Sequence, residues 1–80
     1  MLEKLKDARK VVGTRRLVKA IELGQVVSAY VATDVDLFIA DKLRALCRAQ
    51  GVKLIETGTM AEMGRVCGVE VKTACAGILR

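Results

Sequence analysis

Eighty residues with a net charge of +5 suffice for one core-bearing domain, residues 1–80, burying about 60% of the surface that the unfolded chain exposes. The hydrophobic fraction of 52% beside 29% charged residues is that of a soluble globular protein with an aliphatic core. Tyr30 and Phe38 are the only aromatics, which argues against an aromatic platform for stacking single-stranded bases, whereas the positive excess calls for an anionic partner.

Leu2, Leu5, Ala8 and Val12 recur at helical spacing among charged residues, so a surface helix is expected to end near Lys10. Val11 and Val12 make a very short strand. From Gly13 to Gly24 a helix start, a cation cluster and a helix stop follow one another. Thr14 is the expected N-cap, Gly24 the left-handed terminator, and Leu17, Ala20 and Ile21 the core-facing stripe. Arg15, Arg16 and Lys19 then gather near the positive end of the helix dipole, where cations oppose the stability of their own helix. A phosphate at Gly13, Thr14 and the three cations would relieve this; a solvated basic helix end is the plainer alternative.

Val26 to Ala32 is a nearly unbroken apolar run, as in a central strand covered on both faces. Thr33, Asp34 and Asp36 offer capping oxygens for a long helix that carries Ile39, Leu43 and Leu46 on one face and stops at Gly51. Capping explains this carboxylate pair better than acid–base chemistry. Val52 to Glu56 is a shorter, less covered strand. Thr59 and Glu62 have the form of a capping box for a helix carrying Met60, Met63, Val66 and Cys67 on its apolar side, with Gly68 as its stop. Val69 to Thr73 leads as a loop into a final strand, Ala74 to Leu79. Alternating helices and strands predict a three-layer α/β/α sandwich around a small sheet.

Cys47, Cys67 and Cys75 are an odd number without a Cys-x-x-Cys spacing, and there is no histidine, so reduced core thiols are expected, with neither metal nor cofactor. An enzyme using Cys67 or Cys75 as nucleophile would lack a histidine base, and no phosphate-loop glycine pattern occurs. The alternation of Leu with charged residues from Met1 to Lys10 does not form a signal peptide, and no apolar run approaches the roughly 20 residues of a membrane span. A cytoplasmic protein with no membrane partner is expected.

Along nearly its whole length the chain resembles the L7Ae and L30e family of kink-turn RNA-binding ribosomal proteins, above all its short bacterial members. The resemblance is carried by Gly13-Thr14 with Lys19, by Val31-Ala32 followed by Asp34-Val35-Asp36, and by Met63-Gly64-Arg65-Val66-Cys67-Gly68-Val69-Glu70-Val71. The last stretch matches the pattern Leu-Gly-x-x-Cys-Gly-Ile/Val-x-Val with Met63 in place of Leu.

The resemblance implies a small mixed sheet between helices and the clamping of a sharply bent RNA. The Gly-Thr helix start would enter the groove at tandem sheared guanine pairs, with Lys19 at a guanine, while the loop Val69, Glu70 and Val71 covers a flipped-out nucleotide. Structured RNA is the implied partner, a kink-turn in ribosomal RNA or a riboswitch, bound by a monomer associated with the ribosome. The alternative is a basic protein-interaction module of a ribonucleoprotein without direct kink-turn recognition. Arg15 and Arg16 stand where archaeal and eukaryotic members usually have Asn-Glu, and two frequent prolines are Leu37 and Lys53 here. Because Arg16 only donates where Glu accepts, the departure shifts the expected balance from base reading towards phosphate contact.

Overall fold

The computed structural model describes residues 2–80. Its elements in chain order are α1 (Glu3–Asp7), β1 (Lys10–Val12), α2 (Thr14–Glu22), β2 (Val26–Val31), α3 (Leu37–Gln50), β3 (Lys53–Glu56), α4 (Met60–Val66) and β4 (Cys75–Leu79). The four strands form one mixed sheet in the order β1-β4-β2-β3. β4 runs antiparallel to both β1 and β2, and β2 is parallel to β3.

Side-chain alternation along the two inner strands builds a core on each face of the sheet. Ala29 and Val31 of β2 and Cys75 of β4 join Leu17, Ala20 and Ile21 of α2 and Leu43 and Cys47 of α3. Tyr30 and Ala76 point to the other face, where they meet Leu5 of α1 and Met63 of α4. The sequence therefore yields the expected three layers, with α2 and α3 on one side and α1 and α4 on the other. β2 is the doubly covered strand, fully buried from Ala29 to Val31, while β3 is a half-buried edge. Arg44 of α3 ties that edge down, bonding Glu56 at 2.5 Å and Asp41 at 2.8 Å.

Two local expectations are corrected. The first helix ends at Asp7 rather than near Lys10, because Ala8 is extended and the chain from Arg9 pairs with β4: Lys10 faces Ile78, and Leu79 N–H donates to the Arg9 carbonyl at 2.9 Å. Sheet hydrogen bonds here override a helical periodicity that is real only as far as Leu5. The second correction concerns capping: Asp36 caps α3, accepting from Phe38 N–H at 2.7 Å, but Asp34 serves a different helix, accepting from Met60 N–H at the start of α4 at 2.8 Å. Thr33 likewise reaches across the chain, its hydroxyl donating to the Gly58 carbonyl at 2.8 Å.

Candidate nucleic-acid interface

Since β1 and β2 both oppose β4, and β3 parallels β2, the three strands β1, β2 and β3 end at one edge of the sheet. α2, α3 and α4 each follow one of them, so three helix N-termini converge on that edge beside the start of β4. Open α/β sheets place ligands at the carboxyl ends of their strands. Short backbone bonds hold the convergence together: Gly13 N–H to the Cys75 carbonyl at 3.0 Å, Ala32 N–H to Ala74 at 2.9 Å and Thr57 N–H to Val31 at 3.1 Å.

The three starts differ in how their orphan N–H groups are served. α3 has Asp36. α4 has the predicted capping box, Thr59 Oγ1 accepting from Glu62 N–H at 3.1 Å and Glu62 Oε1 from Thr59 N–H at 3.0 Å, besides Asp34. α2 has no side-chain cap and no acidic residue in its first turn. The residue at its N-cap is Gly13, not Thr14, with φ +103° and ψ 151°, a combination that a β-carbon disfavours and that turns β1 into α2 within one residue. Thr14 is the first helical residue, and its hydroxyl points back into the core, accepting from the buried Cys75 thiol at 3.4 Å. The expected cap is thus corrected, and the helix start is left open.

Arg15, Arg16 and Lys19 are all exposed, but they do not form one cluster. Arg15 lies with Thr14, Val18 and Lys42 of α3 in a hollow on one flank of α2. Arg16 and Lys19 lie on the other flank, with Val11 of β1. The opening of α2 is straddled by cations from two elements, and Lys42 is a member that helical periodicity could not have connected with Thr14.

The second predicted surface is a loop laid along α4. Gly64 is buried, and a β-carbon on it would run into the Val71 carbonyl oxygen, so glycine here is a condition for the loop's path. Val69 N–H bonds to the Gly64 carbonyl and Thr73 N–H to Met60, each at 3.0 Å. The loop leaves Val71 71% exposed and Val69 37% exposed, so apolar packing at a strand entry does not account for Val71. Both valines and Glu70 border a hollow completed by Ala61, Arg65 and Lys72, the last two adding cations. At the α3 start of the same edge, Leu37 and Phe38 are about three-quarters exposed. Leu37 did not stand out in sequence as a surface residue, because it lies three positions before the buried Ala40, at helical spacing with the buried stripe, and only its place in the first turn leaves it uncovered.

Burial pushes the thiols of Cys47, Cys67 and Cys75 above their ordinary value, which disfavours the nucleophilic thiolate. Among the described residues no group of three Cys, Asp or Glu side chains is placed to hold a metal ion, and no helix is long and apolar enough to cross a membrane.

The family model described as "Ribosomal protein L7Ae/L30e/S12e/Gadd45 family" matches residues 1–80. The chain belongs to this family. Relatives within its reach include RNA-binding protein TTE2299 of Caldanaerobacter subterraneus subsp. tengcongensis, 34% identical over 68 residues that cover 85% of this chain and 83% of the relative. RNA-binding protein YbxF of Geobacillus stearothermophilus is 33% identical over 79 residues, covering 98% and 96%. Among solved structures, the Giardia lamblia 15.5kD RNA binding protein superposes with a TM-score of 0.90 at 27% identity, over 99% of this chain and 70% of that one. The L7Ae/L30e fold is therefore the architecture described above, with its mixed sheet and layered helices.

Proposed function

We propose that this protein binds structured RNA at the sheet edge where its helix starts converge, and that the RNA is a kink-turn. The observation that carries the reading is the contrast among the three helix starts: two are capped by the protein's own side chains, and the one left uncapped is the one flanked by Arg15, Arg16, Lys19 and Lys42. Uncapped N–H groups and surrounding cations are complementary to a phosphate, whose charge would also offset the repulsion between arginines and helix dipole. The names of relatives such as YbxF, together with the family, support RNA as the ligand class. Val71, exposed on a loop that Gly64 holds against α4, offers an apolar cover for an unstacked nucleotide, and Phe38 offers a π-face at the same edge.

In this reading the work is recognition rather than catalysis, since Cys47 and Cys75 are buried, desolvation holds the half-buried Cys67 thiol above its ordinary value, and there is no histidine to activate one. The protein acts as a monomer in the cytoplasm on ribosomal RNA or a riboswitch, in association with ribosomes. Two separated surfaces gripping one RNA require the bent conformer, so binding and bending are coupled. Titration of an end-labelled kink-turn RNA and a continuous duplex of equal length tests this. Tighter binding of the kink-turn, rising energy transfer between its ends, and a log affinity against log salt slope on the order of −2 to −4 are expected. Equal affinity for the two RNAs would refute kink recognition.

A further inference from the structure

The positive surface does not stop at the start of α2. Arg16 and Lys19 border a shallow groove between α2 and the β1 side of the sheet, with Val11 and Ala20 in its lining. Through Gln25 and Leu79 the groove continues into a hollow at the opposite end of α2, bordered by Arg9, Gly24 and Arg80. Among the described residues no Asp or Glu side chain lines either part. The nine residues of α2 give this track a length of about 13 Å.

The far end of the groove lies at the negative pole of the α2 dipole, where an anion is disfavoured unless cations are supplied. Arg9 and Arg80 supply them. Arg80, just after β4, is tied to the end of α2, Nε donating to the Gly24 carbonyl at 2.9 Å, which leaves its terminal amino groups unused by that bond and free to donate. Leu23, 61% exposed on the last turn, adds an apolar contact suited to a sugar.

We infer that this groove is a track for the phosphate backbone of one arm of the RNA, continuing from the contact at the α2 start along the flank of the protein. The inference rests on the RNA-binding reading above and deepens it. The occupant follows from charge complementarity and from continuity: Arg16 and Lys19 belong both to the helix start and to the groove.

The test uses one kink-turn RNA with both arms long, and two versions in which one arm or the other is cut back to the few base pairs next to the bend. Affinities are measured by fluorescence anisotropy at 50 and 200 mM salt for the wild type, Arg9→Gln and Leu23→Glu. Both altered side chains are exposed, and Arg9→Gln introduces no new charge. Cutting one particular arm should weaken wild-type binding. That arm's advantage should shrink by about 3.5-fold between the two salts per phosphate contacted, taking a slope of about −0.9 as for duplex DNA. Both variants should erode the advantage and leave the affinity for the cut RNA unchanged. Indifference of the wild type to the length of either arm, or equal losses by the variants on long and cut RNAs, would overturn the track. With a continuous duplex of equal length measured alongside, absence of kink preference with arm dependence retained would instead overturn the kink-turn reading and leave the track standing.

Discussion

Gly64→Ala separates two physical effects of known sign. Gly64 sits inside α4 at an ordinary helical φ, so helix propensity alone favours alanine by about 0.8–1.0 kcal/mol. Against this, the new methyl group would overlap the Val71 carbonyl oxygen, which is backbone and cannot swing aside as a side chain could. Overpacking of this kind costs about 1–3 kcal/mol, so the net effect should be a loss of roughly 0–2 kcal/mol, read as a lowered denaturant midpoint in urea. Relief of the overlap must move the loop from Val69 to Thr73 off α4, taking Val71 away from its place at the sheet edge.

Burial of a whole valine contributes about 1.5–3 kcal/mol, and Val71 is 71% exposed in the free protein. Its misplacement should therefore weaken kink-turn RNA by on the order of 1–2 kcal/mol, about 5- to 30-fold, with little change for a plain duplex. A variant that is stabilised by the full propensity gain and binds RNA normally would refute the reasoning, because the loop would then have yielded without cost.

Lys19→Ala should weaken kink-turn binding selectively by roughly 1–3 kcal/mol, whereas Arg16→Ala should lower affinity for kinked and plain RNA by similar factors and reduce the salt slope by about one. Loss of discrimination in Arg16→Ala at an unchanged salt slope would mean that this arginine reads a base. A thiol reagent at pH 8 should modify the half-buried Cys67 first, with Cys47 and Cys75 reacting only as the protein unfolds; fast modification of any one thiol at neutral pH would favour a nucleophilic role. The Arg44 hydrogen bond holds the Glu56 carboxyl below its ordinary value, so its stabilising contribution is present above the unfolded value of about 4.3 and is lost as pH falls through the folded one. Glu56→Gln should accordingly be less stable than wild type at pH 7 and indistinguishable from it at strongly acidic pH; a gap that persisted in acid would show that the pair is not its source.

Much of the fold was legible because it is written in local periodicity. The stripe of Leu17, Ala20 and Ile21, the β2 run and the Thr59–Glu62 capping box each lie within about a dozen consecutive residues, and all appear in the structure. Features that join distant segments were not legible. Asp34 caps a helix that starts 26 residues later, and Lys42 meets Thr14 and Arg15 only because α3 packs beside α2. β4 enters between β1 and β2 although it is last in the chain, with Gly77 bare so that Leu17 can press onto the sheet. The motif around Gly64 was visible as a pattern of letters, but its reason, the carbonyl of Val71, required coordinates.

Thr14 shows how a failed local rule can be informative. Threonine before a helical stripe is an expected N-cap, and capping would contribute about 1 kcal/mol to α2. The chain forgoes that contribution: its hydroxyl turns inward to Cys75, Gly13 takes the cap position with no side chain to offer, and arginines occupy a first turn where acids are preferred. Each choice leaves the isolated protein less stable at one point, and each raises the positive potential and free donor capacity there. Such local concessions concentrate at functional sites. Supplying the missing acid in the first turn tests that interpretation directly. Asp at position 15, the second residue of α2, would place a carboxylate in the first turn and should raise stability by roughly 0.3–1 kcal/mol through the helix dipole. The same Arg15→Asp change should repel phosphate and lower affinity for kinked RNA. A variant that gained stability and kept its RNA affinity would show that the open helix start is not where the RNA backbone sits.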